Sequence, residues 1–236
     1  MTTFVLVHGA WHGGWCWRFV APMLRRAGHE VFTPTLTGLG ERAHLARPGI
    51  DLDLHVQDVA AVLEMEDLRD VVLLGHSYGG MVITGTAERC PERIRRLIYL
   101  DAFVPQNGEC LLDCLERAVP ERAAGFRKEG EQFGSIAPPP VALWGHVKPE
   151  TIGFVKPRET RHPFGCFTQR LRMTSEKARA LPRTFVYCSS PATGAFDQFA
   201  AKYRNDPAWR FHELKTGHDC MILVPEQVAA ILLQPA

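Results

Sequence analysis

The run Val71-Val72-Leu73-Leu74 passes directly into Gly75-His76-Ser77-Tyr78-Gly79-Gly80, and a segment of helical character follows. A short, continuous apolar run suits a strand buried on both faces. Gly-x-Ser-x-Gly between such a strand and a helix predicts a sharp turn that lifts one serine hydroxyl out of the sheet. Gly75 and Gly79 suit that turn because backbone must pass where a Cβ would stand. Ser77 is then expected at the positive end of a helix, with the Tyr78 N–H free to meet a developing oxyanion.

Other segments fit around this turn. Phe4-Val5-Leu6-Val7, Glu30-Val31-Phe32-Thr33 and Arg96-Leu97-Ile98-Tyr99-Leu100 read as strands. Residues 18–27, 55–65 and 80–90 carry helical spacing, with Val56, Val59, Ala60 and Leu63 along one face of the second. The alternation stops near residue 105, where helical fragments such as 111–117, a Pro138-Pro139-Pro140 run and scattered aromatics take over. It resumes with Thr184-Phe185-Val186-Tyr187-Cys188, a helix near 197–204, the strand 209–214 and a helix that opens at Pro225. Six strands alternating with helices predict an α/β fold: a mostly parallel sheet covered on both faces. Residues 1–104 and 182–236 form the expected core, and 105–181 an insertion too apolar to be a linker.

The chain has 236 residues, enough for one such domain with an insertion. Its net charge of +1 offers no global field for nucleic acid or an acidic membrane surface. The basic runs at 25–26 and 93–96 read as solvated helix faces. No apolar stretch reaches transmembrane length and no secretory signal is evident. Seven cysteines without a CxxC pair complete no zinc spacing and read as buried thiols of a reduced, cytoplasmic protein. No metal is expected. A small molecule is the expected partner, and a homodimer is left open.

In an open α/β sheet, reactive groups gather at the carboxyl ends of the strands. His8-Gly9-Ala10, Ser77, Asp101 and His218 all fall at such ends. A serine hydroxyl needs a neighbouring base, and an imidazole titrates near neutral pH. His218, between the last strand and the last helix, completes the Ser–acid–His chain order of serine hydrolases. An unperturbed imidazole would place the acid limb of activity near pH ~6.5. His76 adjoins the nucleophile but should point elsewhere, and the other histidines read as structural or exposed. The glycine-rich Gly9-Ala10-Trp11-His12-Gly13-Gly14 loop lets backbone approach a reacting carbonyl, with the Ala10 N–H as the second oxyanion donor opposite Tyr78.

Residues 8–17, 75–80, 99–105 and 216–221 together resemble the α/β-hydrolase superfamily. The closer likeness is to the branch of plant methylesterases, hydroxynitrile lyases and small bacterial carboxylesterases. The loop Thr35-Leu36-Thr37-Gly38-Leu39-Gly40-Glu41-Arg42 and the Gly75-to-Met81 segment resemble bacterial members that hydrolyse carbamates such as carbendazim. The resemblance implies the α/β-hydrolase fold, residues 105–181 as a lid over Ser77, hydrolysis of an ester, carbamate or amide through an acyl-enzyme, and no cofactor. Trp11, Trp144, Phe154, Phe164 and Phe167 are the expected pocket walls. Lyases of this branch carry lysine after the catalytic histidine and threonine after the first-strand histidine; Asp219 and Gly9 stand there instead. The family's usual aspartate after the strand ending at Cys188 is missing from Ser189-Ser190-Pro191-Ala192. Asp101 and Asp197 are the replacements, and Asp101 is favoured because a strand end is fixed by the sheet. That gap also leaves a ligand receptor without hydrolysis as the alternative function.

Overall fold

The computed structural model describes residues 1–234. Its first half runs β1 (Thr3–Val7), α1 (Val20–Arg26), β2 (Glu30–Phe32), α2 (Leu52–Met65), β3 (Val71–His76), α3 (Gly79–Arg89) and β4 (Ile94–Leu100). The insertion follows as α4 (Leu111–Ala118), α5 (Pro120–Phe133), β5 (Ser135–Ile136), α6 (Pro149–Val155), β6 (His162–Pro163), α7 (Gly165–Thr168) and α8 (Glu176–Ala180). The chain closes with β7 (Arg183–Cys188), α9 (Asp197–Tyr203), β8 (Trp209–Leu214), α10 (Cys220–Leu223) and α11 (Pro225–Leu232).

Six strands form one sheet in the order β2-β1-β3-β4-β7-β8, every neighbouring pair parallel. The expected architecture is the one observed. Alternation along each strand divides the core between two faces. Phe4, Leu6, Val72, Leu74, Ile98 and Leu100 pack with α1 and α11 on one side. Val5, Val7, Leu73, Leu97 and Tyr99 pack with α2, α3 and α9 on the other. All six residues of β3 are buried, so the strand leading to Ser77 is held between both layers. Asp51 starts α2 by accepting the Leu54 N–H at 3.0 Å.

The segment between β4 and β7, expected as an insertion, is more regular than its sequence suggests. The 14-residue α5 carries only Ala123 and Gly130 as fully buried positions, so it lacks the apolar stripe that would announce it. Its limits are nevertheless marked by Pro120 in the first turn and Gly134 at φ 67° after the last. The basic run at 93–96 is also not a solvated helix face. Arg96 lies in β4, is buried, and donates to the Leu232 and Gln234 carbonyls. Leu74→Ala should cost about 2–5 kcal/mol in urea unfolding, because its site is closed by both neighbouring strands and by the α1–α11 layer.

Candidate active site

Ser77 occupies the turn between β3 and α3 at φ 55°, a left-handed conformation uncommon for a residue with a Cβ. The turn is closed by contact. A Cβ on Gly75 would overlap the Gly79 carbonyl, and one on Gly9 would stand 2.8 Å from the Ser77 Cβ. The first-strand loop is thereby pressed against the serine. Trp11 and Asp101 are also held at positive φ, 64° and 43°. Strain of this sort persists only where surrounding structure over-determines it.

His218 is buried after β8, and its Nδ1–H donates to Asp101 Oδ2 at 2.7 Å. That bond fixes the tautomer and leaves Nε2 as the free nitrogen. The other Asp101 oxygen accepts the Cys188 N–H at 3.1 Å, so the end of β7 supplies a donor where its sequence lacks a carboxylate. Burial pushes His218 down to about 3 and pushes Asp101 well above the usual carboxylate range. Asp197 is exposed at the start of α9, where its Oδ1 accepts the Tyr187 hydroxyl at 2.8 Å.

Ser77 and His218 line one cavity with Ala10, Tyr78, Trp11 and Trp144. Phe167 lines it too, and so do Phe103, Phe126 and Phe196, which sequence reasoning did not single out. Trp11 stacks on Trp144 with centroids 5.5 Å apart. Two expected wall residues lie elsewhere. Phe154, on α6, packs against Trp15 and Phe19 beneath the Arg158 guanidinium. Phe164 covers Gly130 of α5 and faces an outer groove. Both are aromatic residues of the insertion, but their positions turn them outward from Ser77. Neither the Ala10 nor the Tyr78 N–H donates to a protein acceptor among the described residues. The Tyr78 hydroxyl is committed instead: it donates to His55 Nδ1 at 2.9 Å, while His55 Nε2–H donates to the Thr37 carbonyl at 2.9 Å.

A second polar centre adjoins His218, formed by residues that local spacing does not connect. The Asp219 carboxylate is fully buried and accepts from His12 Nε2 at 3.0 Å and His146 Nε2 at 2.8 Å, both on Oδ2. His12 Nδ1–H donates to the Ala10 carbonyl at 2.8 Å, which makes this ring a donor at both nitrogens. Burial alone would lower the His12 pKa, but the Asp219 charge and hydrogen bond outweigh it and hold the group up at about 9. His76 Nε2–H donates to the His218 carbonyl at 3.1 Å. The Asp219 N–H donates to the Trp144 carbonyl at 3.1 Å, stitching the insertion to the His218 loop. The clue was Asp219's place directly after His218; its partners 207 and 73 residues away could not be read from spacing.

Two groups of potential metal ligands occur among the described residues: His55 with His162 and Cys166, and His76 with His218 and Asp219. Each group is already engaged within the protein, through the His55–Tyr78 and Thr37 bonds in the first and the Asp219–His12 and Asp101–His218 bonds in the second.

A serine on a strained strand-to-helix turn, sharing a cavity with an imidazole held by a carboxylate at the end of a parallel sheet, is the arrangement of an α/β-hydrolase. The chain belongs to the alpha/beta hydrolase family, whose sequence model matches residues 4–231. It is 39% identical to the carbendazim hydrolyzing esterase of Nocardioides sp. over 97% of each chain. It is 26% identical to methylesterase 1 of Arabidopsis thaliana, over 99% of this chain and 95% of that one. Among solved structures, an extracellular α/β-hydrolase from a Paenibacillus species superposes with a TM-score of 0.84 at 24% identity, covering 99% of this chain and 98% of that one.

The buried imidazoles set the pH range of stability. His8, His55, His76 and His162 are all pushed below their usual 6.5 by burial, His8 to about 3. The unfolded chain takes up protons on these groups below about pH 6.5, so their stabilising effect is present above that pH and lost as pH falls. His12 acts in the opposite sense, contributing fully below 6.5 and losing its contribution as pH rises through about 9. Asp101, raised by burial, acts against these imidazoles above about pH 4, but with His218 they outnumber it, so the urea midpoint should fall as pH drops below about 6.5. A midpoint constant from pH 7 to pH 4.5 would contradict this.

Proposed function

We propose that this chain is a serine hydrolase that cleaves an ester or carbamate of a small, partly aromatic substrate through an acyl-enzyme. The observation that carries the reading is the 2.7 Å bond from His218 Nδ1 to Asp101, which frees Nε2 toward the cavity that also holds Ser77. In this reading Ser77 attacks the carbonyl carbon while His218 Nε2 takes its proton, and Asp101 stabilises the imidazolium that forms. The Ala10 and Tyr78 N–H groups receive the oxyanion, each worth about 2.7–4 kcal/mol in the transition state. His218 then returns the proton to the leaving alcohol or amine. A water, deprotonated by His218, attacks the acyl-enzyme and restores Ser77.

Residues 105–181 act as a lid in this reading. Leu111, Leu115, Phe126, Trp144 and Phe167 come from that segment and close the cavity over Ser77. The aromatic walls favour a flat apolar moiety beside the scissile bond. The likeness to the carbendazim hydrolyzing esterase supports carbamates as substrates alongside esters. The two positions that a lyase of this branch fills with lysine and threonine are sterically committed to other work. Asp219 holds His12 and His146, and Gly9 lies against Ser77. No helix among the described residues is long and apolar enough to cross a membrane. The seven cysteines are free, which favours a reducing setting such as the cytoplasm.

Ser77→Ala should lower kcat on p-nitrophenyl acetate by about 10⁶-fold with the fold intact. Asp101→Asn should lower it by about 10⁴-fold, and Asp197→Asn by no more than about threefold. Equal small losses in both aspartate variants would remove Asp101 from the mechanism. Because burial holds His218 at about 3, the acid limb of kcat/KM should lie well below pH 6.5. A limb centred at 6.5 would mean that the ring is solvated in the free enzyme.

A further inference from the structure

We propose that Arg122 forms a recognition point for a carboxylate or carbonyl oxygen on the substrate, remote from the bond that is cut. The inference rests on the hydrolase reading above and names the substrate class it serves. Arg122 lines the same cavity as Ser77 and His218, in a wall otherwise built largely from aromatic and aliphatic side chains. Its direction follows from the helix that carries it. Arg122 and Phe126 are four residues apart on α5 and so share one face. The Phe126 ring on that face meets Trp11 at 5.5 Å and Phe167 at 5.8 Å, both within the cavity wall.

The guanidinium is held but not neutralised. Arg122 Nη2–H donates to the Thr193 carbonyl at 3.0 Å. Thr193 lines the cavity as well, and its hydroxyl accepts the Ala195 N–H at 3.3 Å, which fixes the loop carrying that carbonyl. Four of the other seven arginines in this segment have acidic partners: Arg117 with Glu109, Arg127 with Glu116, Arg161 with Glu129 and Arg170 with Asp113. Arg122 forms no ion pair among the described residues. A guanidinium has five N–H donors in a rigid fork, and one bond to Thr193 leaves the rest available. Its charge is felt in the cavity, where it is among the groups that lower His218. A half-buried, oriented and unpaired cation in an apolar wall is suited to acceptor oxygens presented in a plane. An apolar ester of the same shape would leave those donors without a partner.

The test uses p-nitrophenyl esters of the dicarboxylic acids from glutarate to suberate, so that one chain length spans the reach to Arg122. Each is compared with the ester whose terminal carboxylate is replaced by a carboxamide and with the one that ends in an isopropyl group. In the wild-type enzyme, at one length at least, kcat/KM for the carboxylate or carboxamide should exceed that for the isopropyl ester about tenfold. Arg122→Met, which keeps the stem and removes the donors, should bring that ratio to about one, with its far-UV circular dichroism retained. Arg122→Lys should keep part of a carboxylate preference and lose the carboxamide preference. Preference for the carboxylate alone would identify an anionic substrate, and preference for both a neutral acceptor. Ratios unchanged in Arg122→Met, or a wild-type preference for isopropyl at every length, would overturn the proposal. If no ester of any length is hydrolysed, the hydrolase reading fails by itself. The subsite is then read from intrinsic tryptophan fluorescence, to which Trp11 and Trp144 in the cavity wall contribute, on titration with phenylacetate, where equal affinity in wild type and Arg122→Met would refute it and an approximately tenfold weaker variant would sustain it.

Discussion

The close approach of three backbone segments at the end of β3 is the constraint from which the rest of the site follows. The Gly79 backbone passes where a Gly75 side chain would stand, and Gly9 lies against Ser77. Nothing larger than hydrogen fits at those crossings without moving the sheet. Because β3 lies between β1 and β4, the serine, the first-strand loop and Asp101 inherit their relative positions from hydrogen bonds in the parallel ladder. The positive φ values of Trp11, Ser77 and Asp101 follow three of the strands that hand over to the site, β1, β3 and β4. A stable core on both faces of the sheet can carry that local strain.

Behind this geometry stands a buried charge arrangement of a different kind. Asp219 is surrounded by imidazoles rather than by lysine or arginine, and the charge on His12 answers it. Replacing one member alone would leave the other charge buried without compensation, which is far more costly than never having had the pair. Through His12 the carboxylate reaches the Ala10 peptide, and through its own backbone it adjoins His218. One residue thus couples the loop after β1 to the loop after β8, two strands that do not touch in the sheet.

What the sequence disclosed was what the sheet itself determines. The run 71–80, Asp101 and His218 could be placed because strand ends of a parallel sheet converge whatever the loops do. Asp101 could be preferred to Asp197 on the same ground, and its carboxylate does meet the His218 ring. The Asp219 centre was hidden because it joins the glycine-rich loop, the insertion and the last loop, whose mutual placement no local pattern encodes. Phe154 and Phe164 are aromatic residues of the same segment as Phe167, yet Phe154 on α6 meets Trp15 and Phe19, and Phe164, just before α7, covers Gly130. Helix α5 was hidden for a simpler reason. It rests on few buried residues, so its apolar periodicity is faint, and only Pro120 and Gly134 bound it.

The bond from the Asp219 N–H to the Trp144 carbonyl, with His146 on the same carboxylate, divides the insertion into two parts with different freedom to change. Residues near 144–146 are mechanically part of the loop that holds His218. A shift there is a shift of the imidazole. Helices α4 and α5 have no such tie to that carboxylate, and they contribute Leu111, Leu115, Arg122 and Phe126 to the wall. Descendants of this sequence can therefore acquire new substrates by drift in α4 and α5, while the stretch around Trp144 is as closed to revision as the serine turn.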